Sequence, residues 1–323
     1  MVNEVQIRQL SDVIALLDDV LADEQKRYFI VIDRLDEDWI EEQLRMRLIR
    51  ALIETVKDFT RVKHAKIVVA IRLDLLERVF RLTRDAGFQE EKYESLFLPL
   101  DWTRVHLTEI LETRINCLIQ SRYTQARVKY NDILPRHIDD QPALEYKLTK
   151  TMMRPRDLIQ FFNFCIAKAV DRPTLTAQII REAEGEYSRH RLRSLADEWF
   201  ADYPNLIEFT NLLQARPQRF SLRQVSDEEC ADFALGVLTR SDLPKDELQR
   251  GADQLVNMEI DGDEFRRIVF YSFYRLGVVG LRAEHSESPA WAISGRRSLS
   301  RSEIPPDCEV HVHPMFWRVL HCR

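Results

Sequence analysis

Apolar residues recur at helical spacing through the first third of the chain, and two short continuous apolar runs interrupt that pattern. The spacing predicts amphipathic helices over 5–21 and 40–60. The runs at 28–32 and 65–72 are rich in β-branched residues and predict parallel strands buried on both faces. A further short strand is expected within 93–102. Helices alternating with such strands are typical of a wound α/β domain.

The continuous apolar runs that predict buried strands lie within residues 1–101. Residues 102–215 keep the helical periodicity and are predicted to be all-helical, with Pro155 in a first helical turn. Residues 216–323 contain two further helical segments, the second ended by Gly277, and then short alternating segments. Helices followed by a small antiparallel hairpin are typical of a winged helix. The sequence therefore predicts three domains over these ranges, mostly α-helical overall.

Composition narrows the functional classes. The formal net charge of −6 excludes a global electrostatic attraction to nucleic acid or to an anionic membrane. The five cysteines have no paired spacing, which predicts reduced thiols in a cytosolic protein. The first residues show no basic segment followed by an apolar one, and no apolar run approaches the roughly 20 residues that span a bilayer. We therefore expect a cytoplasmic protein without a membrane segment.

The first apolar run leads straight into carboxylates. Asp33 follows the strand directly, and Asp36 and Glu37 come soon after. A parallel strand delivers its C-terminal side chains to the crevice where α/β sheets bind ligands, so Asp33 would order the water shell of a Mg²⁺ ion. Asp36 or Glu37 would then orient or deprotonate an attacking water. The alternative is a strand followed by a solvated acidic turn.

Two other stretches add polar groups that suit a phosphate. The second strand ends in Arg72 and Asp74, and Arg154 and Arg156 stand at the start of a predicted helix. The helix dipole favours anions at that end, so a phosphate between the arginines would explain their presence. The alternatives are a surface ion pair between Arg72 and Asp74, and solvated arginines at the helix start.

The order of these motifs resembles the P-loop ATPases related to the AAA+, STAND and KAP groups. It is most similar to a bacterial group of large P-loop ATPases that carry DRLDE-x-W as their Walker B motif. The Walker B motif is resembled by 29–39, FIVIDRLDEDW, and the sensor-1 strand by 67–74, IVVAIRLD. The sensor-2 motif is resembled by 154–159, RPRDLI. The tail from 273 onward resembles the winged helix that often follows the lid.

The resemblance implies roles for the acids that follow the first strand. Asp33 would be the Mg²⁺ carboxylate, and Asp36 and Glu37 would be candidates for water activation. Arg34 stands where the commonest AAA+ pattern has a catalytic glutamate. The identity of the base is therefore left open between Asp36 and Glu37.

The resemblance also implies roles for three arginines and a fold class. Arg72 would be the sensor-1 group, and Arg156, together with Arg154, would contact the terminal phosphates of ATP. The implied fold is a partial α/β P-loop nucleotidase core, a helical lid and a C-terminal winged helix. ATP and Mg²⁺ are the cofactors that the complete protein or assembly would bind.

The phosphate-binding loop of such an ATPase is missing from the sequence. A P-loop reads G-x-x-x-x-G-K-[ST], and no glycine is followed by lysine anywhere in the 323 residues. The nearest imitation, at 294–300, lies in the expected wing. The chain is therefore a fragment of a longer ATPase, half of a split ATPase, or a degenerate relative. In the first two cases its partner is the missing P-loop segment or subunit, and the uncovered strand edge predicts self-association.

The leading functional prediction is the C-terminal portion of an AAA+/STAND-like ATPase that acts as a nucleotide-controlled switch, with DNA repair or defence against invading DNA as the setting that the resemblance suggests. The alternative is a non-enzymatic winged-helix adaptor that binds DNA or a partner protein. Arg296, Arg297 and Arg301 near the wing tip are the candidate contacts to DNA phosphates.

A zinc site is not favoured. His311 and His313 would share one face of a strand, but Cys308 has the opposite parity, and the spacing matches no zinc pattern.

Overall fold

The structure is a computed structural model of the chain, and it describes residues 4–21, 23, 25–37, 39–84, 90–120, 125–172, 174–240, 245–283, 286–292 and 299–323. The chain divides into two compact units, Met1–Leu100 and Asp101–Arg323. Helices account for most of the described residues, and the strands are few and short, so the mostly α-helical character expected from the sequence is confirmed.

In its described residues, the first unit contains two parallel strands and three α-helices, in the order α1 (Glu4–Val20), β1 (Tyr28–Ile32), α2 (Glu42–Phe59), β2 (Ala65–Val69) and α3 (Leu73–Leu82). The strands pair in parallel, from Tyr28 opposite Ala65 to Ile32 opposite Val69. The elements from α1 to β2 lie where the hydrophobic pattern predicts them, although β2 ends three residues earlier. Since α2 connects the two parallel strands, this segment is a βαβ unit.

In the described part of the first unit, the two faces of this strand pair differ in exposure. On one side, Ile67 and Val69 are partly buried and Ile30 is 45% exposed, whereas Phe29, Val31 and Val68 on the other side are 62%, 69% and 42% exposed. Helix α2 packs against α3 and β2, and the small core of the unit consists of Met46, Ile49, Ile53, Leu75, Val79 and Phe80. The prediction that both strands are buried on both faces is therefore wrong for this chain.

The short strand predicted within 93–102 is also wrong. The chain forms a 3₁₀ helix at Glu94–Leu96 and then continues without pairing to any described strand. Pro99 has no backbone N–H to donate to a ladder, which disfavours a strand at this point. Within the segment, Phe97 packs on the core of the unit, with its ring 6.3 Å from that of Phe80, whereas Leu98 and Leu100 are exposed.

The second unit begins with helices and one small hairpin. The hairpin pairs His137–Ile138 (β3) with Gln141–Pro142 (β4), and it corrects the expectation that residues 102–215 are all-helical. Asp139 and Asp140 have φ of 46° and 62°, as both central residues of a type I′ turn require. The helices of this part are α4 (Arg104–Gln120), α5 (Ala143–Thr149), α6 (Pro155–Lys168), α7 (Ala177–Glu198) and α8 (Leu206–Phe209).

Where the structure describes the rest of the second unit, three α-helices accompany a three-stranded antiparallel sheet. The strands are β5 (Arg219–Ser221), β6 (Val279–Arg282) and β7 (Glu309–Val312), in the order β5-β7-β6. The helices between β5 and β6 are α9 (Asp227–Arg240), α10 (Glu247–Val256) and α11 (Gly262–Arg275). The helix-then-hairpin pattern is found as predicted, whereas β5 and α10 were not predicted.

The proline and the glycine that the sequence predicts at helix ends have those positions in the structure. Pro155 occupies the first turn of α6, where its missing N–H leaves no hydrogen bond unmade. Gly277 has a φ of 74°, and the next N–H, of Val278, donates to the Phe273 carbonyl at 2.9 Å, which closes the end of α11. Gly280 in β6 is required for a different reason, because a Cβ there would lie 2.6 Å from the Trp291 ring.

One continuous hydrophobic core runs through the second unit, and α11 contributes Phe265, Val269, Phe270, Phe273 and Tyr274 to it. No residue of α11 is fully exposed. Apolar residues from α11 to the C-terminus are buried: Phe265, Ile268, Val269, Phe273, Leu276, Val310, Phe316 and Leu320. Trp291 is partly buried, and Ile293 lies outside the described residues.

All five cysteines are free thiols, as predicted, and three of them are buried: Cys165, Cys230 and Cys308. Within the ranges that the structure describes, no helix combines the length and the apolar character needed to cross a membrane.

We predict that Phe316→Ala lowers the free energy of unfolding by about 3–5 kcal/mol, because it leaves a cavity in the hydrophobic core of the second unit. Phe316 is fully buried, whereas Phe200 is 53% exposed and supplies the matched control. Urea denaturation followed by circular dichroism measures both variants. An equally small effect for Phe316→Ala and Phe200→Ala would contradict the packing of the tail.

Candidate functional site

The carboxyl ends of β1 and β2 bring the predicted Walker B acids and the predicted sensor-1 arginine to one edge of the sheet. The last ladder hydrogen bond joins the Ala70 N–H to the Ile32 carbonyl at 2.8 Å. Asp33 follows Ile32 directly, and Arg72 follows Ala70 two residues later. Because the strands are parallel, both polar segments leave the sheet at the same end.

Asp33 begins a tight turn that is stabilised by its own side chain. Its Oδ1 accepts a hydrogen bond from the Arg34 N–H at 2.8 Å, and Arg34 has a φ of 63°. The left-handed conformation is uncommon for a residue with a side chain and is frequent at functional sites. The Glu37 N–H closes the turn on the Arg34 carbonyl, and the Arg45 guanidinium donates to the Glu37 carbonyl at 2.8 Å. The acidic turn is thus ordered by several backbone contacts.

An ion pair links the acidic turn to the second strand. Arg72 Nη1 lies 3.6 Å from Asp36 Oδ2, with both side chains about half exposed. Glu37 is paired at 3.7 Å with Arg34 on the solvent side. A pair this exposed contributes little to stability, so its main consequence is geometric. It fixes the Asp36 carboxylate beside the end of β2.

These residues fit one part of a magnesium nucleotide site. Mg²⁺ in nucleotide sites takes one or two protein carboxylates and completes its shell with water and phosphate oxygens, which the exposed Asp33 suits. Among the residues that the structure describes, no three His, Cys, Asp or Glu side chains are arranged to enclose a metal by themselves. The chain also offers no glycine-lysine loop for the phosphates. The arrangement therefore suits the metal side of such a site and not its phosphate side.

Arg154 and Arg156 belong to the second unit, at the start of α6. Arg154 is the residue before the helix, and Arg156 lies in the first turn, with both side chains exposed. Arg154 Nη1 lies 3.5 Å from a carboxylate oxygen of Glu198 at the end of α7. That carboxylate explains the position of Arg154 without a phosphate, so the sensor-2 role of both arginines stays a prediction.

Between these arginines and α7 lies a buried ion pair that the sequence did not reveal. Asp157, 1% exposed, accepts from the Met152 N–H at 3.2 Å and pairs with Arg191 Nε at 3.2 Å. Burial raises the pKa of the Asp157 carboxyl, and the Arg191 guanidinium opposes that shift. The pair joins the first turn of α6 to the middle of α7, so it fixes where the RPRDLI segment lies on that helix.

A second buried cluster surrounds Glu184 on α7. The Glu184 carboxylate, 1% exposed, lies 3.0 Å from Lys150 Nζ and accepts from the Tyr146 hydroxyl. Lys150 also lies over the Trp317 ring, with its Nζ 4.2 Å from the ring centre. Burial lowers the pKa of the Lys150 ammonium, and Glu184 opposes that shift.

Lys147, on α5, is fully buried without a carboxylate partner among the described residues. Its Nζ lies 3.1 Å from Cys165 Sγ and within 5 Å of the ring centres of Phe161 and Phe162. Burial lowers the pKa of Lys147 and raises that of Cys165. The only sequence signal for these buried groups is the placement of charged residues between apolar positions of α5 to α7.

Of the three arginines predicted to lie near a wing tip, the structure describes Arg301. Arg301 pairs with Glu247 at 3.2 Å and with Glu264 at 3.5 Å, so its charge is compensated within the chain. Arg296 and Arg297 lie outside the described residues. A role for the three arginines at DNA phosphates stays a prediction.

The histidines and cysteines near the C-terminus do not converge on one site. His311 Nε2 lies 3.0 Å from Glu309, and buried His313 accepts through Nδ1 from the Met315 N–H at 3.2 Å. The His313 ring also packs edge-on against Trp291 at 5.1 Å. Burial, together with the positive charge of Lys150, lowers the pKa of His313 to about 3. His313 is therefore a neutral core residue that starts the 3₁₀ helix Pro314–Phe316.

We predict that His313 makes the fold sensitive to acid. In the unfolded chain a histidine binds a proton near pH 6.5, whereas buried His313 stays neutral down to about pH 3. The folded state should therefore lose roughly 1.4 kcal/mol for each pH unit between these values. His313→Asn keeps a hydrogen-bond acceptor but cannot titrate, so the fall in unfolding free energy between pH 6.5 and pH 4.5 should be smaller in this variant.

Urea titrations at several pH values measure this difference. Substitution of an exposed histidine, His190→Asn, should leave the wild-type pH dependence unchanged. Parallel pH curves for the wild type and His313→Asn would contradict the burial of a neutral imidazole.

Comparison with known proteins gives a match over the helical region. A family model described as a FunZ-associated C-terminal helical domain matches residues 105–196. The matched region runs from α4 into the last turn of α7 and contains both of the buried ion pairs described above. No curated protein and no solved structure matches the chain. Over this helical region, the chain is similar to the FunZ-associated C-terminal helical domain family.

Proposed function

We propose that this chain supplies the magnesium-binding and sensor part of an AAA+/STAND-like P-loop ATPase, in which it acts as a nucleotide-controlled switch. The observation that carries the proposal is the ion pair between Asp36 and Arg72, which joins the carboxyl ends of two parallel strands. Ligands of open α/β sheets bind at this end of the strands. The sequence resemblance to Walker B and sensor-1 motifs concerns the same two segments.

In this proposal each residue at the sheet edge has a defined task. Asp33 would hold water molecules of the Mg²⁺ shell, and the bound ion would neutralise charge on the phosphates. Asp36 or Glu37 would orient the attacking water. Arg72 would position Asp36 and respond to the terminal phosphate at the end of β2. The left-handed Arg34 places the Asp33 carboxylate at the start of a turn rather than along the strand.

The phosphate-holding part must come from a different polypeptide segment, because the 323 residues contain no P-loop sequence. The matched family is described as a C-terminal domain associated with FunZ. That description supports the proposal that this chain works together with another polypeptide segment, which would carry the P-loop. A role in DNA repair or in defence rests on the sequence resemblance alone.

We predict that the isolated chain does not bind Mg-ATP with micromolar affinity, because it lacks the backbone amides and the lysine that hold the β- and γ-phosphates. Isothermal titration calorimetry should show no saturable heat at micromolar concentrations. Tight stoichiometric binding would overturn the assignment of the phosphate site to another segment.

The positive test requires the complementary segment. The reading frame next to this one should encode a strand followed by GxxxxGK[ST] and a helix, and co-expression of the two products should give ATPase activity. Asp33→Asn should reduce that activity at least about a hundredfold, because a neutral amide holds Mg²⁺ poorly. Asp12→Asn, at an exposed acid on α1, is the matched control and should have little effect.

A co-purified complex without ATPase activity would contradict the proposal. Activity that Asp33→Asn leaves unchanged would also contradict it. A neighbouring reading frame without a P-loop would favour the second candidate function.

The second candidate is a non-enzymatic adaptor built on a winged helix. Its support is the three-stranded sheet in the order β5-β7-β6, with α9, α10 and α11 between β5 and β6, which is the arrangement expected for such a fold. The surface favours a protein partner over DNA. Helix α11, which directly precedes the hairpin, exposes no face that could enter a groove, and α9 presents Asp227, Glu228 and Asp232 to solvent.

We predict that the chain shows negligible affinity for duplex DNA, and that replacing Arg296, Arg297 and Arg301 by Ala changes neither folding nor mobility shifts. Electrophoretic mobility shifts at two salt concentrations measure this. A wild-type shift that the triple substitution weakens, with a salt dependence flatter by up to about three units of slope, would instead assign the wing to DNA.

A further inference from the structure

We propose that two copies of this chain associate through the outer edge of β1, which pairs antiparallel with itself in one defined register. The inference concerns an interaction surface and does not rest on the proposed ATPase function. Its basis is the direction of the β1 backbone groups, the exposed apolar side chains on β1, and the charges at the two ends of the strand.

The outer edge of β1 has unused hydrogen-bonding groups. The Tyr28 N–H donates to the His64 carbonyl, and the Ile32 carbonyl accepts from the Ala70 N–H, each at 2.8 Å. In a parallel ladder, the even-numbered residues of β1 therefore face β2, and Phe29 and Val31 direct their N–H and carbonyl groups outward. Within the described part of the chain, no strand pairs with this outer edge.

The side chains on this edge are apolar and open to solvent. Phe29 and Val31 are more than half exposed, and they lie on the same face as the exposed Val68 of β2. A flat, apolar, unpaired strand is a template for pairing with another strand. The acids that follow the strand and the arginine that precedes it decide which strand fits.

Charge selects a second copy in antiparallel orientation. Arg27 precedes the strand and Asp33 follows it, both exposed and both of odd number. A two-fold axis at Ile30 places Arg27 of one copy opposite Asp33 of the other, twice in the dimer. The same axis places Phe29 opposite Val31, and these residues exchange both of their backbone hydrogen bonds. Opposite charges and large apolar side chains that face each other across strands both favour pairing.

The neighbouring registers do not give this match. In an antiparallel pair of β1 strands, the outward-facing N–H and carbonyl groups of the two copies lie opposite each other only in some registers. In these registers the two-fold axis passes through a residue of the strand and not between two residues. An axis at Phe29 places Arg27 opposite Val31, and an axis at Val31 places Asp33 opposite Phe29. In both cases a charge faces an apolar side chain. The ladder ends at Asp33, because Arg34 turns the chain with its φ of 63°.

The dimer would contain a four-stranded sheet in the order β2-β1-β1-β2. The open faces of the two copies would continue into one another, because the two-fold axis is perpendicular to the sheet. The outer edge of β2 is also unpaired among the described strands, so the sheet retains a free edge for a further segment.

Sedimentation velocity of the full chain over a range of micromolar concentrations tests this inference. The wild type should show a monomer–dimer equilibrium that shifts towards monomer as salt is added. Val31→Pro removes an N–H that faces outward and should weaken the dimer at least about tenfold. Val69→Pro is the matched control, because it removes an outward N–H from the opposite edge of the sheet and should leave the dimer intact.

Charge exchange gives a test that does not depend on the proline variants folding. Arg27→Asp and Asp33→Arg should each weaken self-association about tenfold, because like charges then face each other. The double variant should restore it. An equimolar mixture of the two single variants should form a heterodimer, because one copy then carries acids at both ends of the strand and the other carries arginines at both ends.

A wild-type chain that stays monomeric at all concentrations would overturn the inference. Self-association that is unchanged by all of these substitutions, or a mixture of single variants that does not associate, would also overturn it.

Discussion

The hydrogen-bond ladder between β1 and β2 is the constraint on which the first unit depends. It sets the parallel direction of the strands, and it thereby places Asp33, Asp36 and Arg72 at one end of the sheet. A two-stranded sheet is marginal by itself, and here α2 and α3 supply packing on one side only. The same ladder uses only half of the backbone groups of β1. The pairing of β1 with β2 therefore explains two features. It brings the polar groups together at the carboxyl ends of the strands, and it leaves the outward-facing groups of β1 without a partner among the described strands.

The second unit is organised differently, around buried polar pairs within a continuous core. Asp157 with Arg191, and Glu184 with Lys150, connect α6 and the end of α5 to α7. A buried charge that loses its partner destabilises a fold strongly, so these pairs restrict how the helices can be arranged. The region that matches the FunZ-associated helical domain contains both pairs.

The sequence predicted the features that depend on neighbouring residues. The run at 28–32, the proline that opens α6 and the glycine that ends α11 act locally, and the structure has each of them where expected. The hairpin around Asp139 was missed because two aspartates are a weaker turn signal than Asn-Gly. Strand β5 has only three residues, which is too short for a periodic pattern.

Features that depend on distant residues could not be predicted in this way. A strand's composition does not show whether a helix covers each of its faces, and for this reason β1 was expected to be buried on both. The contact between Asp36 and Arg72 likewise required the register of the strands, although the residue types and their order could be predicted.

Residue-resolved amide hydrogen exchange of the dilute chain tests the open edge of β1 most directly. We expect slow exchange at Ile30 and Ile32, whose N–H groups face β2, and fast exchange at Phe29 and Val31, whose N–H groups face outward. Equal protection of all four amides in the monomer would contradict it, because the outer edge would then already be paired.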